Sequence, residues 1–317
     1  MALAERAEIA QRTSPLTMLF SLAGLAALLV APFVVYPVFL IKVLCFCLFA
    51  CAFNLLSHTT GLLSFGHAAF FGAAGYVAGH AAKVWGVPFE IAVLIGTATG
   101  GGLGVAFGFI AIRRQGIYFA MITLALAQMI YFLALQLPFT HAEDGLTGIP
   151  RGRLFGFIDL NNDLAMYYTV AGIFLFGYLL IHRIVHSPFG RILSAIRDNQ
   201  ARAISLGYRV DTYKIAAFTL SATLSGLAGA TKAVSFHLVT LTDVHWGTSG
   251  DVLLMALLGG SETLIGPVVG AVLVMALNDY LAASGLPVPV VIGTIFVLCI
   301  LLFRQGIAGE VKRWLKL

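Results

Sequence analysis

Apolar runs of about twenty residues, separated by short polar breaks, recur along almost the whole chain of 317 residues. Read by that pattern, spans fall at about 16–36, 38–57, 61–83, 90–111, 117–138, 165–185, 215–235, 245–259, 264–282 and 287–303. Only helices or closed barrels satisfy their backbone groups in lipid, and runs of this length are helical. The pattern therefore predicts an all-α polytopic membrane protein with about ten transmembrane segments in two related halves. The first run follows a polar leader at 1–15 that holds Glu5 and Glu8. It is too long for the apolar core of a cleaved signal, so it is expected to stay as an anchor.

One stretch departs from the pattern. Ser187–Gly207, SPFGRILSAIRDNQARAISLG, is too charged for hydrocarbon and is still periodic. Ser187 before Pro188 is the order of an N-cap and a first helical residue, and Gly207 is a natural C-terminal stop. Ile192, Ile196, Ala203 and Gly207 recur at about helical spacing, widened by Leu193 and Ile204. Arg191, Arg197, Asp198 and Arg202 take the rest of the circumference. The expectation is one short solvated helix with an apolar stripe facing outward. Two readings stand: a docking knob for a soluble partner, or a charged topogenic loop lying on lipid headgroups.

Composition narrows the class. Hydrophobic residues make up 60% of the chain and charged residues 10%, with a mean hydropathy of +0.96. A soluble domain carries about 25% charged residues, which excludes that class. The length suits a single transmembrane domain over 1–317, with a non-cytoplasmic loop at 139–163. The net charge of +5 collects on no single face, so it reads as topology rather than nucleic-acid affinity. Ten crossings put both termini on the side of 187–214, and fourteen of the nineteen cations fall there, Arg113, Arg114, Arg183 and Arg209 among them. That bias makes the termini and the polar stretch cytoplasmic. Cys45, Cys47, Cys51 and Cys299 all lie in apolar spans, with the spacing of neither a zinc site nor a disulfide framework.

Two spans look interrupted at comparable places in the two halves. In Gly61–Ala82, glycines punctuate the run around Ser64 and His67; in Leu253–Gly270, Gly259, Gly260, Gly266 and Pro267 flank Ser261, Glu262 and Thr263. Paired interruptions point to a midplane pathway, because irregular backbone survives there only beside protein or water. Close helix packing through small residues is the other reading, and it suits Gly100, Gly104 and Gly108. The pathway candidates are Ser64, Gly66 and His67 in the first break and Ser261 and Glu262 in the second. An imidazole inside a span can equally be held by a structural bond.

Catalytic and nucleotide motifs are missing from the sequence. Gly226–Lys232, GLAGATK, lacks the Gly-Lys-Ser/Thr ending of a phosphate loop and reads as a packing face with Lys232 snorkelling outward. No histidine pair has metal-ligand spacing supported by carboxylates, and no nucleophile–base pair can be argued. The chain is therefore expected not to be an enzyme, and energy for transport must come from another chain or an ion gradient. An ion-coupled secondary carrier would need an intramembrane carboxylate. Glu90, Asp251 and Asp279 sit near span ends, which leaves Glu262.

Four ordered motifs bear on that choice. SPFGRILSAIRDNQARAISLGYRVDTYKIAAFTLSATLSGLAGA, GLLSFGHAAFFGAAGY, QGIYFAMITLALAQ and DGLTGIP together resemble the LivM-like permeases of ABC importers for branched-chain amino acids, from about Asn54 to near the C-terminus. The resemblance implies a permease subunit of the bacterial inner membrane, paired with a related permease, two cytoplasmic ATPases and a periplasmic solute-binding protein. It implies no cofactor in this chain, ATP and magnesium belonging to the ATPases. It makes 187–207 a coupling helix, with Arg191, Ile192, Ile196, Arg197, Asp198, Asn199, Ala203 and Gly207 as its docking residues. Leucine, isoleucine and valine are the implied substrates; the same family includes importers of other neutral amino acids, of urea or amides, and of small aromatic acids. The chain departs from the family where Thr140–Glu143 reads THAE in place of a Gly-Gly-Ser-like run.

Overall fold

The computed structural model describes residues 15–284, 288–302 and 306–314; the expected leader lies outside them except for Pro15. In chain order the helices are α1 Pro15–Val34, α2 Pro37–Thr60, α3 His67–Lys83, α4 Phe89–Ala111, α5 Ile117–Gln136, α6 Asp163–His186, α7 Pro188–Asp198, α8 Gln200–Ser205, α9 Val210–Ser235, α10 Trp246–Gly259, α11 Gly266–Ser284, α12 Val288–Leu302 and α13 Gly306–Trp314. A helix thus occupies every stretch read as a span. Four of them, α2, α4, α5 and α6, are long and apolar enough by themselves to cross a bilayer. The protein is a multi-pass, all-α membrane protein.

α2 and α9 form the centre. α2 is apolar almost all round, and such a helix belongs inside a bundle, where most of its residues are indeed buried. α9 lies against α2, α3 and α4. Small residues set the close approach of α4 to α9: a Cβ on Gly100 would lie 2.8 Å from the Gly226 Cα, and one on Gly96 2.7 Å from the Ala230 Cβ. Without a hydrophobic drive between helices in lipid, backbone proximity of this kind supplies the packing energy. GLAGATK is accordingly a packing face, as the sequence suggested. Lys232 does not snorkel: its Nζ bonds both Asp243 carboxylate oxygens at 2.8 and 2.6 Å, and both side chains are largely buried.

One end of the bundle carries α7 and α8 and is called the knob end. The other carries residues 137–162, the loop end. The loop end is packed. Strand β1, Leu146–Thr147, pairs antiparallel with β4, Leu238–Val239, and β2, Arg153–Leu154, forms a hairpin with β3, Ile158–Asp159. Leu146, Ile149 and Leu160 are fully buried. The Arg151 guanidinium donates twice to the Ser235 carbonyl, through Nε at 2.9 Å and Nη2 at 2.7 Å, and pairs with Asp163. It thereby ties the loop to the last turn of α9. In DGLTGIP, Gly145 has φ +70° and a Cβ there would strike the Val239 carbonyl, so only glycine fits.

Candidate functional site: an interrupted helix and a polar knob

The first interruption lies inside the bundle. α2 ends at Gly61, in the left-handed region at φ +70°, and α3 does not begin until His67. Backbone N–H groups exposed by such a gap must find partners away from water. They do. Leu62 N–H donates to Thr60 Oγ1 at 3.3 Å, Phe65 N–H to Thr123 Oγ1 at 3.2 Å, Gly66 N–H to Ser64 Oγ at 3.2 Å, and Ala68 N–H to Ser249 Oγ at 2.8 Å. Four hydroxyls from α2, α5, α10 and the gap itself replace the missing helical ladder. Ser64 is one of these supports, and Gly66 is the N-cap residue.

His67 is fully buried. Its Nε2 lies 2.8 Å from Ser221 Oγ, near the middle of α9, and that hydroxyl donates to the Ala52 carbonyl at 2.5 Å. With the hydroxyl proton used on Ala52, Nε2 carries the hydrogen and donates to Ser221. The Ser64 backbone lies beside the ring, and Phe53, Phe70 and Phe218 surround it edge-on, with centroids 5.1, 5.7 and 6.1 Å away. The imidazole is a three-helix clasp joining α2, α3 and α9. Ser221, Thr123 and Ser249 do not stand out in the sequence, where each is one small polar residue in an apolar run.

The second interruption is not at the middle of a span. Residues 260–265 form the turn between α10 and α11, at the knob end. There the His58 ring, in the last turn of α2, meets the Ser261 backbone and faces the Glu262 carboxylate and the Arg197 guanidinium. Gly259, Gly266 and Gly270 allow the two backbones to cross in contact, which is why the glycines cluster. The reading of Leu253–Gly270 as one broken span at the midplane is thereby corrected. Glu262 is exposed, Ser261 half-buried, and neither meets Ser64 or His67.

The polar stretch folds as two helices rather than one. Ser187 Oγ accepts from Gly190 N–H at 3.3 Å and Pro188 opens α7. Asn199 then turns extended, at φ −155°, and its side chain caps α8 by accepting from Arg202 N–H at 2.9 Å. α8 ends in a Schellman motif: Gly207 N–H bonds Ile204 O and Tyr208 N–H bonds Ala203 O, with Gly207 at φ +87°. Gln200 Oε1 accepts from Gln115 Nε2 at 2.8 Å and Lys214 Nζ at 2.9 Å, binding the knob to the α4–α5 connection and to α9.

The apolar stripe faces inward, contrary to the sequence expectation. Ile196 is 2% exposed and packs with Ala203 and Val210, and Leu193 is fully buried. The bundle covers Leu193, Ile196 and Ala203 of the stripe, while Gly207 at its end stays exposed. What faces outward is Ile204 at 56% and Leu206 at 70%, beside a cavity of about 260 Å³ lined by Arg191, Ile192, Ala195, Asn199, Arg202 and Leu206. Arg197 also turns back toward the bundle. Its Nη1 donates to the His58 carbonyl, and its stem covers Gly61, 3.2 Å from where a Cβ would sit. Asp198 is exposed beside it, 3.5 Å from Arg197 Nε. The knob therefore bears on the turn that opens the first interruption.

The structure defines a multi-pass helical membrane protein with a buried helix interruption and a strapped polar knob, and comparison with known proteins gives its role. Residues 35–304 match the family described as branched-chain amino acid transport system / permease component, and the chain belongs to that family. It is 24% identical over 287 residues to the high-affinity branched-chain amino acid transport system permease protein LivM of Escherichia coli K12, covering 83% of this chain and 68% of that protein. It is 28% identical over 199 residues to the ribose import permease protein RbsC of Bacillus subtilis, covering 57% of this chain and 58% of that protein. A shorter likeness, 32% over 106 residues, joins it to the autoinducer 2 import system permease protein LsrC of Photorhabdus laumondii, with 32% of each chain covered. No solved structure matches. The chain is a permease subunit of an ABC transporter, a transport protein rather than an enzyme.

Proposed function

We propose that this chain lines the translocation pathway of a bacterial inner-membrane ABC importer for branched-chain or similar neutral amino acids. Both termini and the knob lie in the cytoplasm, the loop end faces the periplasm, and all 317 residues serve one permease domain. A related permease completes the pathway, a solute-binding protein delivers the solute at the loop end, and two ATPases carrying ATP and magnesium dock at the knob.

The single observation behind this reading is the Arg197 strap. A soluble two-helix knob tied by its own side chain to Gly61 is built to pass a push from the cytoplasm into the interrupted helix. Ile204, Leu206 and the cavity between Arg191 and Arg202 offer the ATPase an apolar, cationic receptor, which suits an acidic and aliphatic partner surface. Ile192, Ile196, Ala203 and Gly207 hold the shape of the knob, with Asp198 and Asn199 at its bend. Ser64, Gly66 and His67 hold the interrupted helix that borders the pathway. Ser261 and Glu262 stand at its cytoplasmic mouth. A sugar-like solute is the second reading, favoured by the likeness to ribose and autoinducer 2 permeases.

The test is uptake in vesicles holding this chain with the ATPases, paired permease and binding protein encoded beside it, against labelled leucine, isoleucine, valine, urea, ribose and sodium. ATP-dependent uptake of a branched-chain amino acid is expected. Uptake by this chain alone, abolished by Glu262→Gln, would instead establish an ion-coupled carrier.

A further inference from the structure

The β2–β3 hairpin carries a feature that transport does not use. Its turn closes with Phe157 N–H donating to the Leu154 carbonyl at 3.1 Å, and both central residues take positive φ, Phe155 at +49° and Gly156 at +79°. That is the pattern of a type I′ turn, whose first central position favours Asn, Asp or Gly. A phenylalanine in the left-handed region is strained, and here burial does not offset the strain. Phe155 is 73% exposed, Phe157 92%, and Ile158 next to them is exposed as well. Large apolar side chains presented on strained backbone mark a surface that meets another apolar phase.

The position of the hairpin identifies that phase. Phe155 N–H donates to the Glu90 carboxylate, in the first turn of α4. Glu90 shares a helix face with Leu94, one turn farther along and 65% exposed. The exposed row continues through Val105 and Phe109, on the side of α4 opposite the glycines that pack on α9. This is the row a bilayer covers. Trp85, also exposed, stands at the same end of the bundle, where amphipathic rings collect at membrane edges. At the base of the hairpin Arg153 stands opposite Asp159 in the register, and Asp159 Oδ1 accepts from the Asn161 N–H and Nδ2 at 3.0 and 2.9 Å.

We infer that the hairpin is a lipid anchor, with Phe155 and Phe157 seated among phospholipid headgroups directly above the lipid-facing row of α4. The test uses a spin label on Phe157→Cys, in a chain whose four native cysteines are replaced by alanine. The protein is reconstituted in phosphatidylcholine and phosphatidylglycerol vesicles, with labels on Leu94→Cys and Asn161→Cys for reference. Collision with oxygen, which concentrates in the bilayer, should exceed that at Asn161 and fall below that at Leu94. The order reverses for a water-soluble nickel chelate. A label at 157 as open to the chelate as the one at Asn161 overturns the proposal. A label shielded from both reagents overturns it too, by showing protein rather than lipid over the hairpin. Should the cysteine-free chain fail to insert, Phe157→Trp in the native chain gives a second reading. Its added emission should be quenched by lipids brominated near the headgroup, and quenching only by a soluble agent contradicts the anchor.

Discussion

Replacing Ser221 with alanine removes the acceptor of the His67 Nε2–H in a place that water cannot reach. The ring is fully buried among Phe53, Phe70 and Phe218, so the donor is left unpaired. An unpaired buried donor costs about 1–3 kcal/mol. Hydrogen bonds between membrane helices average about 0.6 kcal/mol and reach about 1.7 kcal/mol, because the unfolded chain in lipid also finds partners. The Ser221 bond to Ala52 adds little, since a helix carbonyl keeps its ladder partner. The expected loss for Ser221→Ala is therefore about 1–2 kcal/mol. His67→Phe removes the donor and the need for an acceptor together, and a benzyl ring suits the aromatic surroundings. The double variant should then cost less than the two single changes added, by about 1 kcal/mol. Equilibrium unfolding in mixed detergent–dodecyl sulfate micelles, followed by circular dichroism, measures all four proteins. Additive costs, or a Ser221→Ala protein as stable as its parent, would refute the clasp.

Asp243→Asn should destabilise the protein by about 3–5 kcal/mol, since it strands the Lys232 ammonium against a neutral partner in a largely buried site, while Lys232→Met with Asp243→Leu should recover most of that loss; the same unfolding assay reads both. Gly226→Leu should prevent α4 from reaching α9, with overpacking of at least about 1–3 kcal/mol, seen as loss of monodisperse protein on size exclusion. Arg197→Ala should leave the ATPases bound and hydrolysing ATP while uptake falls, because the strap to His58 and Gly61 is cut but the outward face of the knob is intact.

Much of this architecture is written locally. The apolar runs locate each helix, and the caps of the knob follow from Ser187, Pro188 and Gly207, whose preferences act within one turn of chain. What the pattern cannot give is direction. An amphipathic stripe says that Ile196 wants cover without saying whether a partner or the parent bundle supplies it, and here the bundle does. Lys232 reads as a snorkelling cation until Asp243, eleven residues on, is brought back by the β4 turn. The first interruption is legible from its glycines. The four hydroxyls that make it tolerable are not, because Thr123 and Ser249 come from distant segments and meet the gap only in the fold. The glycines at 259, 266 and 270 have the same look as those at 61–79, yet their cause is a crossing of two helices at the bundle end.

The central claim is that a chain with no engine of its own is driven through the outward face of its knob, and paired aspartate substitutions test it most directly. Leu206→Asp alters an exposed side chain beside the knob cavity, whereas Leu137→Asp alters an exposed side chain at the opposite end. Purified permease complexes carrying either change are titrated with the ATPase subunits, and association is measured alongside the unfolding midpoint. The prediction is that Leu206→Asp weakens ATPase binding at least tenfold with an unchanged midpoint, while Leu137→Asp leaves binding untouched. Equal binding by both variants would contradict it.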